Sequence, residues 1–278
     1  PEFAEAYSGM ADSYSMLGVY NILDYDVAYP KAREFAIESI TRNANLAEAY
    51  VSLAWIQFAY DWKFKESEKN YRKAIELNPK FAQAYLWLGI NLSSRGKFEE
   101  GYSTLEKALK LEPDNHVVLN QIGRAATVLG EFEDAESMAK RGLSVNPNYY
   151  NNWGMLYFNY FRQGGNDDKM ASLINEVEPY TNKDRNIYEI LTHYYKHKDD
   201  NKFEKYMAEG RAFDKSTKGY DLDIYLLMEG KFEEYMTASE KAFEDRKLRW
   251  GFGRHVFLDE YRDDPRLKVL IEKHRKGR

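Results

Sequence analysis

Cysteine is absent from all 278 residues. Its absence excludes disulfides, thiolate zinc sites and cysteine nucleophiles together, and fits either an oxidising or a reducing compartment. Long apolar runs are also missing: no window approaches about eighteen uninterrupted apolar residues, and the opening residues show no basic and apolar leader, so no membrane insertion is expected of this stretch. Positive charge is in deficit. Forty Lys and Arg face forty-five Asp and Glu, for a net charge of −5 and a pI of about 5.7. Such a molecule repels phosphate backbones, and nucleic acid is not an expected partner. The short basic run from His274 to Arg278 suits a helix C-terminus.

The signatures of catalysis are equally scarce. There is no Gly-x-x-x-x-Gly-Lys-[Ser/Thr] loop, no Gly-x-Ser-x-Gly elbow and no His-Glu-x-x-His, and Gly251-Phe252-Gly253 lacks a third glycine and a preceding strand. His193 and His197 share one helical face but have no third ligand nearby, so no metal and no cofactor are expected. Paired acids such as Glu99-Glu100 and Glu233-Glu234 follow hairpin turns, where negative charge suits a helix N-terminus.

Core material is plentiful, with 44% hydrophobic and 15% aromatic residues, and it is arranged periodically. Pro79, Pro113 and Pro147 fall at a strict interval of 34 residues, each two places after an apolar residue: Leu77, Leu111, Val145. The blocks Gly96-Lys97-Phe98-Glu99-Glu100 and Gly130-Glu131-Phe132-Glu133-Asp134 recur at the same interval, and Gly230-Lys231-Phe232-Glu233-Glu234 repeats them later. Within this register Gly89, Gly101 and Ala108 match Gly123, Ala135 and Gly142, small residues where antiparallel helices cross closely.

This pattern resembles the tetratricopeptide-repeat family, whose period is 34 residues. The resemblance implies an all-α, right-handed superhelical solenoid of about seven helical hairpins with a C-terminal capping helix. Clear repeats run over 4–149, degenerate ones over 150–246 and the cap over 250–278, all read as one domain. The first hairpin carries an insertion from Asn21 to Pro30, and a bend is expected between Pro179 and Asp184. At the end, Asp264-Pro265 reads as an N-cap with proline at the first helical position, followed by Leu267, Leu270 and Ile271 on one face.

Pro1-Glu2-Phe3-Ala4-Glu5-Ala6-Tyr7 overlays Pro79-Lys80-Phe81-Ala82-Gln83-Ala84-Tyr85, as though the chain began within a repeat; Pro1 simply opening the first helix is the other reading. The segments Phe257 to Leu267 and Ala47 to Trp62 resemble a bacterial subgroup in which the array follows a winged-helix DNA-binding domain, a class III nucleotide cyclase or a serine/threonine kinase. That resemblance implies the sensory or interaction arm of a larger signalling or transcription-regulatory protein, often membrane-anchored. Nothing in the residues names the compartment.

The functional class implied is a scaffold that holds another protein or a peptide, with no catalytic residue. In the family, the first helix of each hairpin lines the concave side, with positions 2, 5, 9 and 12 of each repeat forming one stripe at helical spacing. The resulting groove residues are Trp55, Phe58, Leu86, Ile90, Asn120, Arg124, Phe158 and Phe161, which favour an apolar or aromatic segment. Packing between neighbouring helices or against the insertion is the second reading of the same side chains. The family's carboxylate clamp is absent, since Ser8 and Asp12 stand where it needs lysine and asparagine. The alternative class is a toroid of helical hairpins that binds or degrades glycans. It needs two carboxylates held at a set separation, and the inward positions offer hardly any acids after the second repeat.

Overall fold

A computed structural model describes residues 3–20, 22–164, 167–181, 183–196, 198–216, 224–244, 258 and 261–277. Pro1, Asn21, His197, Leu222, Gly251 to Phe257, Asp259 and Glu260 lie outside them. The described residues form fifteen α-helices and one short 3-10 turn, with no strand among them. Contacts divide the chain into two compact units, residues 1–113 with 275–278, and residues 114–274.

The first unit holds three antiparallel hairpins: α1 (Ala4–Val19) with α2 (Tyr25–Arg42), α3 (Ala47–Ala59) with α4 (Phe64–Leu77), and α5 (Ala82–Ser94) with α6 (Phe98–Leu111). The prolines explain where the hairpins end. The residue before a proline is pushed out of helical geometry, and Asn78 and Glu112 are accordingly extended, at φ −138° and −131°. The small residues explain how the helices close. A Cβ added to Gly89 on α5 would lie 2.6 Å from Leu105 Cγ on α6, so any larger residue would force the pair apart. First helices lie side by side, α1 against α3 and α3 against α5, and so form an inner layer behind which the second helices pack.

The insertion in the first hairpin is largely helical. It lengthens α2 at its start and places Pro30 inside that helix. Its tyrosines cover the turn of the second hairpin: Tyr29 is buried and stacks on Tyr60 at 5.2 Å, and the Tyr25 hydroxyl donates to the Ala59 carbonyl at 2.7 Å.

The second unit comprises α7 (His116–Leu129) with α8 (Phe132–Val145), α9 (Asn151–Arg162) with α10 (Asp167–Val177), α11 (Arg185–Tyr195) with α12 (Asp200–Ser216), α13 (Tyr225–Met228) with α14 (Phe232–Glu244), and the closing α15 (Pro265–Lys276). Gly130 ends α7 in the left-handed region at φ 84°, where glycine alone is unstrained. Small residues give way to large ones after residue 150: Trp153, Tyr157, Tyr160, Tyr188, Tyr206 and Tyr225 all enter one apolar core. Here α9 meets α10 less extensively than α7 meets α8, whereas α11 and α12 remain closely packed. The chain turns through Glu178–Tyr180 in a 3-10 turn before α11. At the end, the Asp264 carboxylate accepts from the backbone N–H of Arg266 at 2.8 Å and of Leu267 at 3.3 Å, and Leu267, Leu270 and Ile271 are buried, as the sequence predicts.

One polar device recurs in both units. Asn91 on α5 donates through Nδ2 to the Phe64 carbonyl at 3.1 Å, and Asn159 on α9 donates to the Phe132 carbonyl at 3.0 Å. Each asparagine ties a first helix to the start of the preceding hairpin's second helix and satisfies a carbonyl that burial would otherwise orphan.

Candidate interaction faces

The inner layer of the first unit presents Trp55 from α3 beside Trp87 from α5. Both rings are half-buried, with centroids 4.5 Å apart. Trp55 also packs on Phe58 at 6.0 Å, and its indole Nε1 is shielded from water without a hydrogen-bond partner. Next to α3, α1 exposes Glu5 and Asp12, and α3 itself exposes Glu48. Asp12 accepts a hydrogen bond from Ser52 Oγ at 2.6 Å. Loss of water around its carboxyl, followed by the nearby charge of Glu48, nevertheless holds its pKa above the ordinary aspartate value.

In the second unit, Phe158 and Phe161 of α9 are half-buried and meet the imidazole of His193 on α11 edge-on, at 6.1 and 4.7 Å. The Tyr157 hydroxyl lies 2.9 Å from His193 Nδ1. Arg124 of α7 is exposed. This is an aromatic cradle filled by the chain's own histidine.

The remaining groove residues take the packing reading. Phe58 and Ile90 are each 1% exposed, Leu86 5% and Asn120 1%. Phe58 is held against Phe64 at 5.5 Å, and Asn120 Nδ2 donates to Asn152 Oδ1 across the α7–α9 contact at 3.0 Å. First helices lie so close side by side that these positions face a neighbouring helix. Of the eight, Trp55, Phe158 and Phe161 are partly buried and Arg124 is exposed, whereas Phe58, Leu86, Ile90 and Asn120 are buried. Trp87 and His193 belong to these faces and fall outside the 2, 5, 9, 12 spacing used to read the stripe. Trp87, 32 residues after Trp55, sits one helix along at nearly the same height, and that near-repeat interval is the signal that finds it.

Among the described residues no three His, Asp or Glu side chains gather as metal ligands, and no helix is long and apolar enough to cross a membrane. A cavity in the second unit between α8, α9 and α10 holds about 500 Å³ and is lined by both charged and apolar side chains, with Trp153, Tyr160 and Glu136 among them. Burial alone would raise the Glu136 carboxyl, but hydrogen bonds from Lys140, Lys169 and Tyr160 overcome it and bring the pKa to about 2. Such a fully paired carboxylate is a structural anchor, with no proton to offer near neutral pH.

Two stretches match family models described as Tetratricopeptide repeat, residues 47–81 and 92–157. Those two stretches carry that repeat. Among solved structures, the chain is similar to PilW, a widely conserved type IV pilus biogenesis factor, with a TM-score of 0.62 at 16% identity over 76% of this chain and 94% of that one. It is similar to pilF of Pseudomonas aeruginosa, with a TM-score of 0.57 at 15% identity over 76% of this chain and 99% of that one. It is also similar to MamA, residue 41 to the end, from Desulfovibrio magneticus RS-1, with a TM-score of 0.52 at 14% identity over 64% of this chain and 95% of that one. At such identities the likeness shows the fold alone. No curated protein sequence matches the chain.

Proposed function

We propose that the chain is a protein-interaction scaffold whose inner layer holds an apolar or aromatic peptide segment or helix. The observation that carries this reading is the partly exposed Trp55–Trp87 pair on the inner layer of the first unit. Tryptophan supplies a large contact area at little cost in side-chain entropy and is among the residues that dominate interface energies. In the second unit the exposed Arg124, with Phe158 and Phe161 around the chain's own His193, marks a smaller face. The resemblance of Ala47 to Trp62 and of Phe257 to Leu267 to the bacterial regulatory subgroup supports placing this scaffold as the interaction arm of a larger signalling or transcription-regulatory protein.

The test separates binding from packing. Peptides selected for binding to the native chain from a random displayed library should lose about 2 kcal/mol, roughly thirtyfold in Kd, on Trp55→Ala with little change in melting temperature. A variant that melts earlier yet binds the selected peptides unchanged makes Trp55 a packing residue and sinks the reading.

A further inference from the structure

The charges of the first unit are sorted by layer. Its inner helices α1, α3 and α5 contain no lysine or arginine. The outer helices α2, α4 and α6 carry both signs, and several of their acids are ion-paired, Glu34 with Lys31, Glu38 with Arg42, Glu68 with Arg72 and Arg95, and Glu100 with Arg72 and Lys97, while Glu66, Glu99 and Glu106 have lysines or arginines on the same layer. The inner acids Glu5, Asp12 and Glu48 are exposed and form no ion pair. Two of them, Asp12 and Glu48, lie close enough for their charges to interact. The partly exposed rings of Trp55 and Trp87 share this layer, and aromatic faces attract cations as carboxylates do.

From this sorting we infer that the inner face of the first unit takes a cationic peptide segment, placing an arginine or lysine against Asp12 and Glu48 and apolar side chains against Trp55 and Trp87. The inference rests on the groove reading above and specifies its ligand. The physical reason is complementarity: a guanidinium supplies the counter-charge that the inner acids lack, and its planar face can lie on an indole. An acidic segment would add to a repulsion already present and is rejected by the same geometry.

The experiment uses the full chain and three amphipathic peptides of equal length, identical at their leucine and phenylalanine positions and carrying arginine, glutamine or glutamate elsewhere. Binding is read by intrinsic tryptophan fluorescence at low and high salt. The arginine peptide should bind about tenfold more tightly than the glutamine one at low salt, with the margin shrinking as salt rises. Asp12→Asn with Glu48→Gln should abolish that margin while leaving the glutamine peptide unaffected. The outer-face pair Glu76→Gln with Glu106→Gln removes the same charge elsewhere and should preserve it. Both pairs replace carboxylates by amides of the same shape, and a single cooperative melt for each variant confirms folding. Equal binding of the arginine and glutamine peptides, both lost on Trp55→Ala, overturns the cationic preference and leaves the groove reading standing. An arginine margin that the outer-face pair erases as well marks diffuse attraction to an acidic protein and overturns it too. Failure of all three peptides to bind sinks the groove reading along with the proposal.

Discussion

The two units build the same hairpin by different means. In the first, closeness does the work: alanine and glycine at the crossings let helices meet nearly backbone to backbone, so that Ala11, Ala32, Ala36, Ala54, Ala74 and Ala84 are all fully buried. In the second, bulk does more of it: beyond residue 150 tyrosines, tryptophan and methionines enter one continuous core, although Gly210 of α12 still closes tightly on Tyr188 and Tyr225. The inner layers differ in charge as well. That of the first unit carries acids and no base, whereas α7 and α9 carry Arg124 and Arg162 and no acid. Small-residue crossings leave a repeat motif easy to recognise, because a few positions must be small. A bulk-filled core accepts many aromatic combinations, and the motif fades with no loss of the fold.

The largest test of the contrast falls on the core of the second unit. Leu267 is 0% exposed within it, and Leu267→Asp should cost roughly 2 to 4 kcal/mol, since a buried charge replaces an apolar contact. Urea unfolding followed by tyrosine fluorescence measures it, and an unchanged midpoint would mean that α15 is held only loosely. A sharper test sets two glycines against each other. Gly89→Val brings a Cβ into Leu105 and should cost about 1 to 3 kcal/mol by overpacking. Gly154→Ala in the second unit meets nothing nearer than 3.6 Å, from Asn186. It should be neutral, or stabilise by up to about 1 kcal/mol through helix propensity. Similar losses at both sites would erase the distinction between close and bulky crossings.

The smallest effect is one of pH, and its sign differs between the units. Glu229 receives two hydrogen bonds from Arg211, at 2.6 and 2.9 Å, with Lys231 beside it. The Arg211 hydrogen bonds are the main cause that takes its pKa down to about 2. A depressed carboxylate stabilises fully above its unfolded pKa, and that contribution is lost as pH falls through the folded one. The second unit should therefore weaken between about pH 4.5 and 2, by about 1 kcal/mol once solvent screening of this partly exposed pair is allowed for. Asp12 has the opposite shift. Its ionised form is the disfavoured one in the folded state, so its contribution is fully present below the unfolded value and fades as pH rises past the folded one. Asp12→Asn should thus raise the melting temperature slightly at pH 7 and leave it unchanged near pH 3. Melting curves of native chain and variant at the two pH values check this, and a variant less stable at pH 7 would reverse the sign.

Much of the fold was legible residue by residue. The 34-residue proline interval placed the ends of α4, α6 and α8, because each proline forces its predecessor out of the helix. Gly89, Gly101 and Gly123 marked crossings, because only a hydrogen fits there, and Asp264-Pro265 marked the start of α15 through local capping. All of these are decided within a few residues or by the size of one side chain, which a linear sequence records. The candidate faces were legible only in part. The 2, 5, 9, 12 spacing names the side of a helix, but it does not say how near the next helix stands. Near neighbours buried Phe58, Leu86, Ile90 and Asn120, left Trp55 half-open, and set Trp87 beside it. The insertion from Asn21 to Pro30 was legible as extra residues in the first hairpin; that Tyr25 to Pro30 lengthen α2, with Tyr29 stacked on Tyr60, was not. The sequence by itself determined the period, the crossings and the caps. Only the tertiary structure decided which inner side chains remain open and which acids are left without a counter-charge, because both depend on distances between helices that no single helix contains.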